Sequence, residues 1–278
     1  DFRHATFEDL EYEINMLADQ YNKANPEKAV NIYEIKWQMI MYANGAVCLT
    51  PFMESTWNEG DMKATSEEAL MKLETELTQA LRADGHDIRR LDLGGGLGIP
   101  YQQGNSAPPL PMDYGAMIRE ELGHLGCEIE IEPGRLIVGN AGIMVSQVIY
   151  VKSGEGRDFL IIDGAMNDLI RPAMYDAHHD IVPVVQPPVG VAQQPYDIVG
   201  PVCESGDTFA RQRPMAPLNA GDLVAFRSAG AYGAVMASEY NTRPLIPEVL
   251  VHGDQFAVIR ARPSFDEIIN RDTIPEWL

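Results

Sequence analysis

The chain has 278 residues, with 41 acidic side chains against 21 basic ones and a formal charge of −20. Like charge repels phosphate, so this balance excludes long-range attraction to nucleic acid or to an anionic membrane and leaves room only for a local basic pocket. Apolar residues make up 45% of the chain, which excludes a disordered protein and fits one large or two medium globular domains.

Taken in chain order, residues 7–24 set Leu10, Ile14, Leu17 and Tyr21 at helical spacing, with acids toward the start, and Pro26 ends the run. VNIYEIK (30–36) alternates as a strand, and GAVCLTPFM (45–53) reads as a second. A long amphipathic helix opens with Ser66-Glu67-Glu68, a capping signal, and runs to Ala83 before Asp84-Gly85. A strand then leads into LDLGGG (91–96), followed by a helix over about 112–125 and the strand CEIEIEP (127–133). This alternation predicts parallel α/β structure with crossover helices.

Beyond about residue 140 the style changes. GIMVSQVIYVK, DFLIIDG, YDIVGPVC, DLVAFRS and EVLVHGDQFAVIR are strand-like runs broken by Gly, Pro and Asp, which predicts an all-β region. The expected domains are therefore 1–140 and 141–278, with a proline-rich exposed loop at 186–195. Cys48, Cys127 and Cys203 lie far apart with no CxxC pair, so neither a disulfide framework nor a zinc site is expected, and a reducing compartment is. The most apolar stretch, Leu136 to Val151, is interrupted by Asn140, Ser146 and Gln147, so no bilayer span is expected. No signal peptide is read at the start, and the chain begins at Asp1, as a processed or partial chain does.

Several segments carry candidate chemistry. Gly94, Gly95 and Gly96 follow a strand, where bare backbone N–H groups can approach an anion; a tight turn and a phosphate cradle are equally good readings. Neither a dinucleotide fingerprint nor a P-loop is present, since Ile99 stands where the third glycine belongs and no Gly-Lys-Ser/Thr follows. Glu132, Pro133, Gly134 and Arg135 end a strand, which reads as a surface turn or as an active-site edge at a barrel strand's carboxyl end. Arg171 and Tyr175 are four residues apart, on one face if helical, and arginine suits a carboxylate or phosphate. His178 and His179 point apart on any regular segment and are read as surface residues, not metal ligands. Cys203-Glu204-Ser205-Gly206-Asp207 is a polar turn that could expose a usable thiol, although cysteine is more often a buried hydrophobe. Tyr232 stands among small residues that would let a ring or phosphate approach.

In order and spacing, LDLGGGLGIPY, EPGRLIVGNAG, DGAMNDLIRPAMYDAHH, GPVCESGD, AGAYG and YNTRPLIPEVLV closely resemble the diaminopimelate decarboxylases, from about residue 66 to the end. That resemblance implies a (β/α)8 barrel, here partial, followed by a C-terminal β domain. It also implies pyridoxal 5'-phosphate as cofactor, meso-diaminopimelate as substrate, and a cytoplasmic homodimer with shared active sites. Carried over by position, Gly94, Gly95 and Gly96 would line the cofactor phosphate, with Gly134 and Arg135 beside it. Glu132, followed by Pro133, would face the pyridinium nitrogen. Arg135 would also reach substrate, and Arg171 and Tyr175 would hold its distal end. Cys203 would donate a proton after carbon dioxide leaves, Glu204 would bind the distal ammonium, and both would enter the partner subunit's site. Tyr232 would contact cofactor and substrate.

The chain also departs from the family. Residues 1–65 match nothing in it. Tyr33-Glu34-Ile35-Lys36 keeps Tyr-x-x-Lys of the cofactor-binding lysine motif without the Ala-Asn that follows, so Lys36 is read as an ordinary strand or surface lysine. No histidine precedes the helix at 66, where the family's ring-stacking histidine belongs. Two alternatives stay open: a decarboxylase of another basic amino acid, and a non-catalytic interaction or regulatory relative.

Overall fold

The computed structural model describes residues 23, 35–41, 47–53, 64–102, 108–154 and 156–277. Apart from Lys23, the helix expected over 7–24 lies outside the described residues, as does most of the strand expected over 30–36. Residues up to Pro100 with Gly104–Ile137 form one compact unit, and Tyr101–Gln103 with Val138–Leu278 form another.

Unit 1 opens with an antiparallel pair, β1 (Ile35–Met41) and β2 (Val47–Met53). Helix α1 (Ala64–Ala83) follows and stops at a turn in which Gly85 takes φ +92°, a backbone state that costs glycine little. Strand β3 (Arg90–Asp92) then pairs in parallel with β4 (Glu128–Glu130), with helix α2 (Pro111–Leu122) between them in sequence. Pro111 opens α2, where a missing N–H costs nothing, and Asp113 reaches back to accept from the Leu110 N–H. Leu77, Leu81, Ile88, Leu91 and Leu122 form the core between helices and strands.

Arg82, in the last turn of α1, ties these pieces together. Its Nε donates to the Ile88 carbonyl at 3.0 Å, its Nη1 to the Leu125 carbonyl at 2.8 Å and its Nη2 to Cys127 Sγ at 3.0 Å. The same buried helix face carries a discordant pair. Both carboxyl oxygens of Glu74 and the hydroxyl of Thr78 are buried without a hydrogen-bond partner among the described residues. Burial, and then repulsion from Asp92, pushes the Glu74 carboxyl up to about 8.

Unit 2 is built on a six-stranded sheet in the order β7-β10-β5-β6-β8-β9. Its strands are β5 (Met144–Gly154), β6 (Arg157–Ile162), β7 (Ile181–Pro183), β8 (Gln194–Val199), β9 (Thr208–Met215) and β10 (Leu223–Phe226). Only β6 and β8 pair in parallel. Along β5, Met144, Ser146 and Val148 alternate inward, the period-2 pattern of a half-buried strand. Val148, Leu160, Ile162, Ile198, Val224 and Phe226 fill the core.

The separate hairpin of β11 (Glu248–His252) and β12 (Gln255–Arg260) turns on Gly253-Asp254 and leaves Val251 and Phe256 exposed. A two-stranded ribbon with both faces in water has little stability of its own. The fold class is therefore α/β followed by all-β, as the alternation of elements predicts. Strands β7 and β9 are additions that the sequence reading lacked. No helix among the described residues is long and apolar enough to cross a membrane.

Candidate active site

Parallel pairing of β3 with β4 brings two motifs together at the strands' carboxyl ends, where α/β folds place ligands. The Leu93 N–H donates to the Glu130 carbonyl at 3.0 Å, and the Glu132 N–H to the Gly94 carbonyl at 2.7 Å. Asp92 Oδ1 accepts from the Gly94 N–H at 2.9 Å and so shapes the turn from beneath. Gly94 and Gly96 take φ of +67° and +96°. At Gly95 a Cβ would lie 2.8 Å from the Glu132 carbonyl oxygen, so close approach of the two segments requires glycine there. Gly95 and Gly96 are exposed, as are Glu132 and Gly134, while Pro133 and Arg135 are half-buried. Arg135 lies in the short helix α3 (Gly134–Val138).

In unit 2 the segment 163–175 is the common neighbour of the remaining motifs. It ends in the short helix α4 (Arg171–Tyr175), with Arg171 buried at its start and Tyr175 exposed at its end. The turn 200–207 joins β8 to β9 and holds Cys203 and Glu204 in the open. Its organiser is Asp207, which is buried. Asp207 Oδ2 accepts from the Val202 N–H and Oδ1 from the Met166 N–H, both at 2.7 Å. The Asp207 main chain closes the turn by accepting from the Gly200 N–H at 3.0 Å and donating to the Glu204 carbonyl at 3.1 Å. Burial pushes the Asp207 carboxyl up from its ordinary value, against the two N–H donors that pull it down. A Cβ at Gly200 would sit 2.3 Å from either carboxylate oxygen, which explains glycine there. Gly206 packs toward Met166 and Ala173, so the Cys203-Glu204 turn lies against α4.

Tyr232 belongs to a third loop on the same neighbour. The adjacent Gly233 leaves no room for a Cβ beside the Ala229 carbonyl and faces Leu169. Gly230 is similarly confined, since a Cβ there would meet the Val138 carbonyl. Tyr232 itself is 42% exposed at φ +57°, a left-handed state that costs a non-glycine residue about 1–3 kcal/mol. Such strain concentrates where a side chain must be aimed.

One reading needs correction. His178 is only half-buried, but His179 is 1% exposed and not a surface residue. Its Nε2 lies 3.0 Å from Arg171 Nη1, and its Nδ1 lies 2.9 Å from the Arg227 carbonyl. The Tyr101 ring covers the Arg171 guanidinium, with Cζ 4.6 Å from its centroid, and meets the His179 ring edge-on at 5.4 Å. His179 was findable: Ala177, His179 and Ile181 are buried in alternation while 178, 180 and 182 are not, which is the period of extended chain.

Among the described residues no cluster of His, Cys, Asp and Glu could hold a metal ion. Cys127 and Cys203 are free thiols.

Residues 13–230 match the model of the pyridoxal-dependent decarboxylase C-terminal sheet domain. The chain belongs to the pyridoxal-dependent decarboxylase family. It is 47% identical over 203 residues to a diaminopimelate decarboxylase of Zymomonas mobilis, covering 73% of this chain and 48% of that one. A diaminopimelate decarboxylase of Pseudomonas aeruginosa is 50% identical over 192 residues, 69% of this chain and 45% of that one. Among solved structures, diaminopimelate decarboxylase from Helicobacter pylori complexed with L-lysine superposes with a TM-score of 0.71 at 34% identity, over 81% of this chain and 54% of that one. The chain thus spans about half the length of the curated relatives it matches. The fold is that of this family, part of a (β/α)8 barrel followed by a β domain.

Proposed function

We propose that the enzyme to which this chain belongs decarboxylates meso-2,6-diaminopimelate to L-lysine, with pyridoxal phosphate bound at the paired turns of unit 1. The observation that carries this reading is the glycine turn 94–96 pressed against the Glu132 peptide, with no space for a side chain at Gly95. That packing fixes the backbone of the turn, and exposed Gly95 and Gly96 can offer N–H groups to the phosphate end of the cofactor. When bound, the cofactor supplies an electron sink for the pair left behind as carbon dioxide departs.

The chain's own residues supply the rest. Glu132 would hold the proton on the ring nitrogen, and Gly134 and Arg135 would bind the phosphate. Arg171 and Tyr175 hold the substrate's distal carboxylate, and Glu204 holds its distal ammonium. A substrate charged at both ends is thereby fixed by opposite charges. Cys203 delivers a proton to the carbon that has lost its carboxyl group. Tyr232 would contact cofactor and substrate. The reading extends to a cytoplasmic homodimer in which Cys203 and Glu204 serve the partner's site, with residues 1–140 as the cofactor-binding part and 141–278 as the β domain. The names of the relatives, and the L-lysine held by the Helicobacter pylori enzyme, support this substrate.

Borohydride trapping tests it. The protein is mixed with pyridoxal phosphate, reduced and digested, and the modified lysine is located by mass spectrometry. In parallel, carbon dioxide release is followed from carboxyl-labelled meso-diaminopimelate, ornithine and arginine. Specific labelling at Lys36, suppressed by meso-diaminopimelate, with release from that substrate alone, would mean that the site is rebuilt in this chain and would support the enzyme reading. Release from ornithine or arginine instead would move the assignment to another basic amino acid. A folded dimer with neither label nor release would mean a non-catalytic relative.

A further inference from the structure

Arg171 is a buried cation with no counter-charge among the described residues. Among the described residues no carboxylate lies within ion-pair distance of it, and its one hydrogen bond is Nη1 to His179. Nε and Nη2 have no hydrogen-bond partner there. Those two nitrogens form the side-on edge of the guanidinium, whose parallel N–H bonds match a carboxylate.

The geometry at His179 admits one arrangement of protons. The Arg227 carbonyl can only accept, so Nδ1 carries the hydrogen. The guanidinium can only donate, so Nε2 presents a lone pair. Both contacts demand the same neutral tautomer. Every charge facing the ring opposes a further proton: Arg171 on α4, neighbouring His178, and Arg213 on β9. Burial and these cations lower its pKa to about 4.

We propose that His179 is a positioning residue for Arg171, orienting the guanidinium through a neutral acceptor so that its Nε–Nη2 edge and its whole positive charge remain available to a carboxylate. An acidic residue at position 179 would orient the same group and cancel its charge, which is the physical reason for an imidazole here. Tyr101 completes the arrangement, because its ring face steadies the cation without offering an anion. The inference rests on the reading of Arg171 as the group that holds the substrate's distal carboxylate.

The test uses the whole chain, labelled with nitrogen-15, and reads the His179 ring nitrogens and the Arg171 side chain by NMR while acetate and then meso-diaminopimelate are titrated. The expected result is a His179 ring protonated at Nδ1 and neutral at pH 7, with a saturable shift of the Arg171 Nε–H. H179Q, whose amide oxygen can replace Nε2 as acceptor, keeps anion affinity within about threefold, whereas H179E loses about tenfold or more. Amide exchange of β5 and β6 in each variant reports whether unit 2 remains folded. A ring protonated at Nε2, or charged at pH 7, would overturn the positioning role and leave the reading of Arg171 intact. The expected tautomer with an Arg171 resonance that no anion moves would overturn the reading of Arg171 instead. Equal anion affinity in H179E and wild type would overturn the role of charge.

Discussion

Unit 1 buries a carboxyl, Glu74, that no hydrogen bond from the described residues serves, whereas unit 2 gives buried Asp207 two backbone N–H donors and buried His179 both a carbonyl and a guanidinium. The cost of burying a polar group depends on what meets it, and Glu74 and Asp207 sit at opposite ends of that scale. Their acid–base behaviour diverges for the same reason. Glu74 is held up to about 8 in the folded chain, above its ordinary value of 4.5, so the folded state keeps a proton that the unfolded chain releases. Its contribution is complete below pH 4.5 and is lost as pH rises through 8. His179 is held down to about 4, below its ordinary 6.5, so its contribution is present above pH 6.5 and is lost as pH falls toward 4. Acid thus favours the buried Glu74 carboxyl and opposes the buried His179 ring.

The largest expected effect comes from removing the orphaned carboxyl. Raising pH from 5 to 8 should cost unit 1 on the order of 4 kcal/mol. Glu74→Leu should abolish that slope and leave α1 more protected at pH 8. Hydrogen exchange of peptides from α1 and β3, corrected for intrinsic rate, measures it, and an unchanged slope in the variant would sink the comparison. Next, protonating His179 as pH falls from 7 to 4 should cost about 3 kcal/mol, and H179Q should remove that component of the curve. Exchange from β5, β6 and β8 reads that change separately from unit 1. The smallest effect sharpens the contrast within unit 2. Asp207→Ala strands two N–H donors and should cost about 1–3 kcal/mol, with accelerated exchange at Val202 and Met166. Asp207→Asn should lose roughly half of that, since an amide accepts from only one of the two donors. If both variants leave these amides protected, the carboxylate does not organise the turn.

Alternation and capping made most elements legible: α1, β5, β6, β8, β10 and the β11–β12 hairpin fall where the sequence runs predict them. The two additions, β7 and β9, fail those tests for a physical reason. In β9, Arg211, Gln212, Arg213 and Pro214 break the apolar alternation, and Gln212 takes φ +48° so that its backbone and side-chain amides both reach Asp197. That bond depends on a residue in the neighbouring strand, which no local pattern contains. The glycines of the two paired turns were visible as glycines, but only parallel pairing of β3 with β4 explains why Gly95 can be nothing else. Glu74 gave a signal that passed unread, because Met71, Glu74, Thr78 and Leu81 share one helical face and an acid there contradicts the stripe.

The two end strands of the six-stranded sheet share a feature with a bearing on assembly. Pro183 closes β7 and Pro214 lies near the end of β9, so each rim of the sheet contains a position with no N–H to offer. A passing strand that tried to extend the ladder would find it broken on either side. Copies of the chain are thereby steered away from zippering edge to edge into fibres, and toward meeting through loops and side chains, where recognition can be selective.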